Sequence, residues 1–132
     1  MHAPAWCLLW REAYCNSRND IVTWARVMSI DGDLEEPETP WKYTIWHFAT
    51  WKGYDKVKDN ATIILTTPNS DSQCGARGLW EEGDYILAGK LKENGEIYIT
   101  TCDLILPYEQ HTSEDIDLLR DLRYGTKKCE SS

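Results

Sequence analysis

The stretch "DSQCGARGLWEEGDYILAGKLKENGEIYITTCDLILPY", Asp71 to Tyr108, decides the fold. It holds two cysteines and two runs of strand-forming residues, "DYILAGKL" and "EIYITTC", around Lys92-Glu93-Asn94-Gly95. Asn-Gly between two strand patterns is a strong hairpin signal, because both residues tolerate the positive φ that tight hairpin turns require.

Working upstream, "NATIILTT" (Asn60 to Thr67) is a short apolar run stopped by Pro68-Asn69. "WKYTIWHFATWKG" (Trp41 to Gly53) reads as a long strand, and "DIVTWARVMSID" (Asp20 to Asp31) is rich in β-branched and aromatic residues. Between these two, "GDLEEPETP" (Gly32 to Pro40) has acids and prolines without periodicity, which predicts a solvated, mobile hairpin tip. That makes five strands.

Helical signals lie only at the ends. Downstream, Thr112 or Ser113 can cap, Glu114 and Asp115 suit a first turn, Arg120 and Arg123 a last turn, and Gly125 a stop. Ile116, Leu118, Leu119 and Leu122 place an apolar stripe on one side of that helix. Upstream, "CLLWREAYCNS" predicts a short helix ending near Asn16. The whole predicts a mainly β chain, a five-stranded antiparallel OB-fold barrel with flanking N- and C-terminal helices. Pattern alone leaves a sandwich or roll open.

The 132 residues suit one domain, 1–132, with an N-terminal segment 1–14, a barrel 15–106 and a C-terminal helix and tail 112–129. Net charge is −8, and clustered Lys and Arg are absent, so nucleic acid is not the expected partner. No apolar run approaches the roughly 18 residues of a membrane span.

Five cysteines (Cys7, Cys15, Cys74, Cys102, Cys129) lie far apart with no C-x-x-C pair, which suits disulfides, and the odd count leaves one thiol over. Asn60-Ala61-Thr62 is a sequon and points to the secretory pathway. "MHAPAWCLLW" lacks the basic start and long apolar stretch of a signal peptide, so a mature form behind an added Met1 is expected.

No metal site or cofactor is expected. His2, His47 and His111 have no ligand spacing, and the acids Asp31, Asp33, Glu35, Glu36 and Glu38 lack the spacing of a calcium loop. No family signature surrounds Cys74 as a nucleophile, and no nucleophile, base and oxyanion site occur together, so the chain is not expected to be an enzyme. Seven tryptophans are too many for so small a core, so some should face outward, whereas Trp46 and Trp51 read as filling the barrel and its flanks.

"SQCG", followed by "YILAGKL", a glycine turn, "IYITTC" and "LPY", resembles the core signature of tissue inhibitors of metalloproteinases, within the netrin-like family. The resemblance extends through "AYCNSRNDIVTWARV" and "YTIWHFATWKGY" to "GTKKC", from Cys15 to Cys129. It implies a secreted, extracellular protein on an OB-fold barrel, with Cys15 paired to Cys129 and Cys7 to Cys102. A Cys15 to Cys129 bond would contribute roughly 4 to 5 kcal/mol in the chain-entropy model.

In that family a first cysteine in a C-x-C start chelates the protease zinc through its free amine and carbonyl, and is bonded to the cysteine of "CG". Here Ala5 stands at the first position, Trp6 at the pocket-filling one and Cys7 at the second, and Met1 to Pro4 turn the chelating amine into an amide. Cys74 would then be the unpaired thiol; the alternative alignment pairs Cys7 with Cys74 and leaves Cys102 free.

The resemblance thus implies a contact ridge of Ala5, Trp6, Cys7, Leu8, Ser72, Gln73 and Cys74. The expected function is non-enzymatic contact with an extracellular protein, with inhibition of zinc metalloproteinases lost or weakened. A working inhibitor using the Trp6–Leu8 and Ser72–Cys74 ridge is the alternative, and an OB-fold module for oligonucleotides or sugars is a third. The protein is expected as a monomer, or as a dimer through the leftover thiol.

Overall fold

The computed structural model describes residues 19–101 and 103–125. Six strands appear in it: β1 (Ile21–Asp31), β2 (Trp41–Lys52), β3 (Thr62–Thr67), β4 (Asp84–Leu91), β5 (Ile97–Tyr98) and β6 (Ile105–Pro107). One α-helix follows, α1 (Ser113–Arg123). The expected N-terminal helix lies outside the described residues.

β1 through β5 close a barrel in the order β1-β2-β3-β5-β4, with β4 returning to β1. Four ladders are antiparallel, as expected, but β3 and β5 run parallel, with Leu65 opposite Ile97 and Thr66 opposite Tyr98. Parity requires this. Strand direction alternates along the chain, and an odd number of strands cannot close a ring without two like-directed neighbours.

β1 is the hinge of the closure. Ile21 to Arg26 pair with Gly89 to Asp84 of β4, while the same strand pairs with β2 on its other edge. The β1–β2 register shifts between Val22 and Thr23, Trp24 and Ala25, and Val27 and Ser29. Such irregularities bend a strand and raise its twist, which lets a long hairpin curl into a small barrel.

Alternation then sorts the side chains into two cores. Ile21, Ala25, Val27, Tyr43, Ile45, Leu65, Leu87, Ile97 and Ile99 pack together as the larger one. Val22, Trp51, Ile86 and Ala88 face the other way and pack against Leu119 and Leu122 of α1. Both faces are therefore buried over Ile21–Thr23 of β1 and Tyr85–Gly89 of β4, which explains the unbroken apolar run of β4.

Gly89 carries a steric constraint. A Cβ there would lie 2.7 Å from Ile99 Cγ2 and 2.9 Å from the Tyr98 carbonyl oxygen. The "AGK" of β4 thus lets β5 close onto the barrel.

α1 begins with a capping box: Asp115 N–H donates to Thr112 Oγ1 at 3.2 Å and Thr112 N–H donates to Asp115 Oδ2 at 2.8 Å. At the other end Arg123 donates to the Thr50 carbonyl at 2.9 Å, fixing the helix to β2. The sixth strand, unexpected from sequence, pairs Ile105 to Pro107 with β4 and leads into that helix.

His47 is fully buried. Thr23 Oγ1 donates to the Ala49 carbonyl at 3.0 Å, so its 2.8 Å contact with Nδ1 is best met by an Nδ1–H donor. That tautomer leaves the bare Nε2 without a hydrogen-bond partner.

Burial pushes the imidazole down to about 4, the Asp59 carboxylate opposing. The unfolded histidine binds a proton below its ordinary 6.5, whereas the folded one refuses it until about pH 4. Its contribution is full above pH 6.5 and is lost as pH falls through that window, by roughly 3 kcal/mol at about 1.4 kcal/mol per pH unit.

Two outcomes follow. His47→Gln should flatten this part of the stability profile, read as a smaller fall in urea midpoint between pH 7 and pH 4.5 than the parent shows; equal falls would assign the effect to carboxylates. Gly89→Ala should lower stability by about 1 to 3 kcal/mol in a denaturant titration, and an unchanged midpoint would mean that the barrel relaxes around the methyl group.

Candidate functional site

The loop that leaves β3 at Pro68 and runs to Gly75 forms one end of the barrel. Asp71–Gln73 make a single 3-10 turn, and Cys74 follows with φ 62° and ψ 40°, the left-handed region. The loop closes on itself through Cys74 N–H to the Asp71 carbonyl at 3.0 Å and Gly75 N–H to the Ser70 carbonyl at 2.9 Å. A Cβ at Gly75 would lie 1.9 Å from the Pro68 carbonyl oxygen, so the glycine of "CG" is required by the backbone path. Thr101 N–H donates to the Cys74 carbonyl at 2.8 Å and ties the loop to the end of the β4–β5 hairpin.

Ser72 and Gln73 are exposed, and Ser70 and Ser72 hydroxyls lie 2.7 Å apart. Cys74 is half-buried and carries a free thiol. Of the proposed ridge residues the structure brings together these three; Ala5, Trp6, Cys7 and Leu8 lie outside the described residues. So do Cys15, Cys102 and Cys129, and with Cys7 both expected disulfides.

Polar residues that the sequence pattern did not single out hold this loop. Thr67 Oγ1 donates to the Ile99 carbonyl and accepts from Ala76 N–H, each at 2.8 Å. The Tyr43 hydroxyl donates to the Ala76 carbonyl at 2.7 Å, and its burial pushes the phenol up to about 12, so it stays a donor throughout the ordinary pH range.

Asn69, 3% exposed, gives both amide protons to the neighbouring hairpin tip, to the Asp33 carbonyl at 2.7 Å and the Glu36 carbonyl at 3.0 Å. Arg77 donates to Asn69 Oδ1 at 3.3 Å and forms a 2.6 Å ion pair with Asp71. The tip is solvated, as expected, but it is fastened to the loop. No local motif marks Asn69 for this role, because its partners stand more than thirty positions upstream.

The resulting edge presents Ser72 and Gln73 with the exposed, acid-rich tip that carries Leu34, Glu35, Glu36 and Glu38, while Arg77 and Lys92 add positive charge beside it. Near it a groove of about 600 Å³ runs between Leu79, Trp80, Tyr85 and Leu104, and Trp80 is 78% exposed. Among the described residues no group of three or more His, Cys, Asp or Glu side chains could hold a metal ion. Trp51 is buried against the helix, and Trp46 is half-buried on the barrel's flank and rests on Phe48 with ring centroids 4.5 Å apart. Asn60 lies elsewhere, in the turn before β3.

Among the described residues a five-stranded barrel displays a braced loop at one end. The family model "Tissue inhibitor of metalloproteinase" matches residues 10–131, and the chain belongs to that family. It is 30% identical over 116 residues to "Metalloproteinase inhibitor 3" of Scyliorhinus torazame, covering 87% of this chain and 52% of the relative. It is 32% identical over 110 residues to "Metalloproteinase inhibitor 2" of Canis lupus familiaris, covering 78% and 47%. The human "Metalloproteinase inhibitor 2" is 30% identical over 106 residues. The chain spans about half the length of the curated relatives it matches.

Asn69→Ala removes both hydrogen bonds to the tip and the Arg77 brace. Amide exchange at Glu36 and Thr39 should rise, while global stability falls by about 1 to 3 kcal/mol. Unchanged exchange there, measured by mass spectrometry, would show that the tip holds itself.

Proposed function

We propose that the chain is a secreted, extracellular, non-enzymatic protein that acts by contact through the edge formed by Ser72, Gln73 and Cys74, with Ala5, Trp6, Cys7 and Leu8 completing the ridge. The relatives' names, metalloproteinase inhibitors 2 and 3, make a zinc metalloproteinase the first partner to consider. The acidic edge and the net charge of −8 argue against nucleic acid. Among the described residues no helix is long and apolar enough to cross a membrane.

The observation that carries the reading is Ala5 in the sequence position of the chelating cysteine, with Cys74 unpaired among the described residues. With Ala5 in place of the cysteine that would bond it, the chain lacks the N,O chelate that caps a catalytic zinc at its open coordination position. Contact without that chelate forfeits the metal bond, so protease inhibition by this route is lost or weakened.

A second reading, a working inhibitor, is favoured by the edge itself. Asn69, Arg77, Thr67 and Tyr43 hold the loop in a single shape, which lowers the entropic cost of docking.

Titrating the chain against a panel of zinc metalloproteinases separates the two. Absence of inhibition at micromolar concentration is the expected result. Inhibition at nanomolar concentration would overturn it and establish the second reading.

A further inference from the structure

The β2–β3 connection ends in a tightly specified turn. Ala61 N–H donates to the Lys58 carbonyl at 3.1 Å, with Asn60 between them at φ 69°. Asn60 N–H donates to the His47 carbonyl at 2.7 Å, and His47 N–H donates to the Ala61 carbonyl at 2.9 Å. Two residues of one strand thus oppose one of the other, with the first left-handed, which is the pattern of a G1 bulge.

Glycine is the best residue at that first position and asparagine the next best, so the turn alone accounts for a small residue tolerant of positive φ. It does not account for Thr62. That residue starts β3 exposed, opposite Trp46, and among the described residues its hydroxyl has no hydrogen-bond partner. Asn60 is exposed too, and among the described residues its side-chain amide has no hydrogen-bond partner. Asn60-Ala61-Thr62 is the only sequon in the chain.

We propose that Asn60 carries an N-linked oligosaccharide. The donor is a lipid-diphosphate-linked oligosaccharide of the secretory pathway. The Asn60 side-chain nitrogen attacks the anomeric carbon of the reducing-end sugar, the N–C bond forms as the C–O bond to the diphosphate breaks, the nitrogen gives up one proton, and the lipid diphosphate leaves. One amide N–H survives, and no oxidant or reductant is needed. Because the Asn60 amide satisfies no protein group, its substitution leaves no partner unpaired.

The glycan stands at the end of β3 remote from the contact edge. Six residues of strand at about 3.3 Å each separate the sequon from Pro68, about 20 Å. It shields the outer face around Trp46 and leaves Ser72 and Gln73 open.

This inference rests on the extracellular reading, but its readout is independent of inhibition. The full chain is directed by an added leader into the secretory pathway of a eukaryotic cell, and total protein, cellular and released, is treated with peptide N-glycosidase. The expected result is a mass loss with conversion of Asn60 to Asp, absent in both Asn60→Gly, which keeps the left-handed turn, and Thr62→Ala, which keeps Asn60. An unmodified Asn60 in the parent chain, or a glycan persisting in either variant, would overturn the assignment.

Discussion

Everything in this molecule depends on β1 serving two partners at once. Its residues Ile21 to Arg26 pair with β4 on one edge, and Val22 to Arg26 pair with β2 on the other. Without the β1–β4 ladder the sheet stays open, and the cavity around Tyr43, Ile45 and Leu65 would admit water. The closure also sets the direction of the last ladder. Once β1 has joined β4, β5 can reach only β3, and the two run parallel.

Closure creates the second core as well. On β1 and β4 the side chains that do not face the barrel, Val22, Ile86 and Ala88, are covered by Leu119 and Leu122 of α1. The helix is short, so its capping box and the Arg123 bond to Thr50 matter in proportion. Barrel and helix therefore stabilise each other through the same two strands. Disturbance at Gly89, which sits at their junction with β5, acts on both cores.

Much of this was legible in the sequence because it is local. Strand β4 follows "DYILAGKL", and the Asn94-Gly95 turn, the Thr112 cap and the apolar stripe of α1 all lie within short windows. What the sequence hid is non-local. The five-stranded barrel stands as expected, but the parallel direction of its β3–β5 ladder shows only when the strands are placed in a ring. The braces of the contact edge were hidden for the same reason: Asn69 reaches back to Asp33 and Glu36, and Tyr43 reaches forward to Ala76. Cys74 itself was visible through "SQCG", while its left-handed backbone was not.

The edge is held by groups other than the Cys74 sulfur. Its backbone path is fixed by Gly75, by the Asp71, Ser70 and Cys74 carbonyls that accept hydrogen bonds, and by Thr67 and Tyr43 behind it. Its orientation toward the hairpin tip is fixed by Asn69 and Arg77. None of these contacts uses the thiol, so none of them is lost if that sulfur is bonded. The shape of the surface and the chemistry at its tip are thereby separable. A braced surface of this kind can present the same contacts with or without a zinc-binding wedge, and the wedge then decides whether docking also blocks a metal.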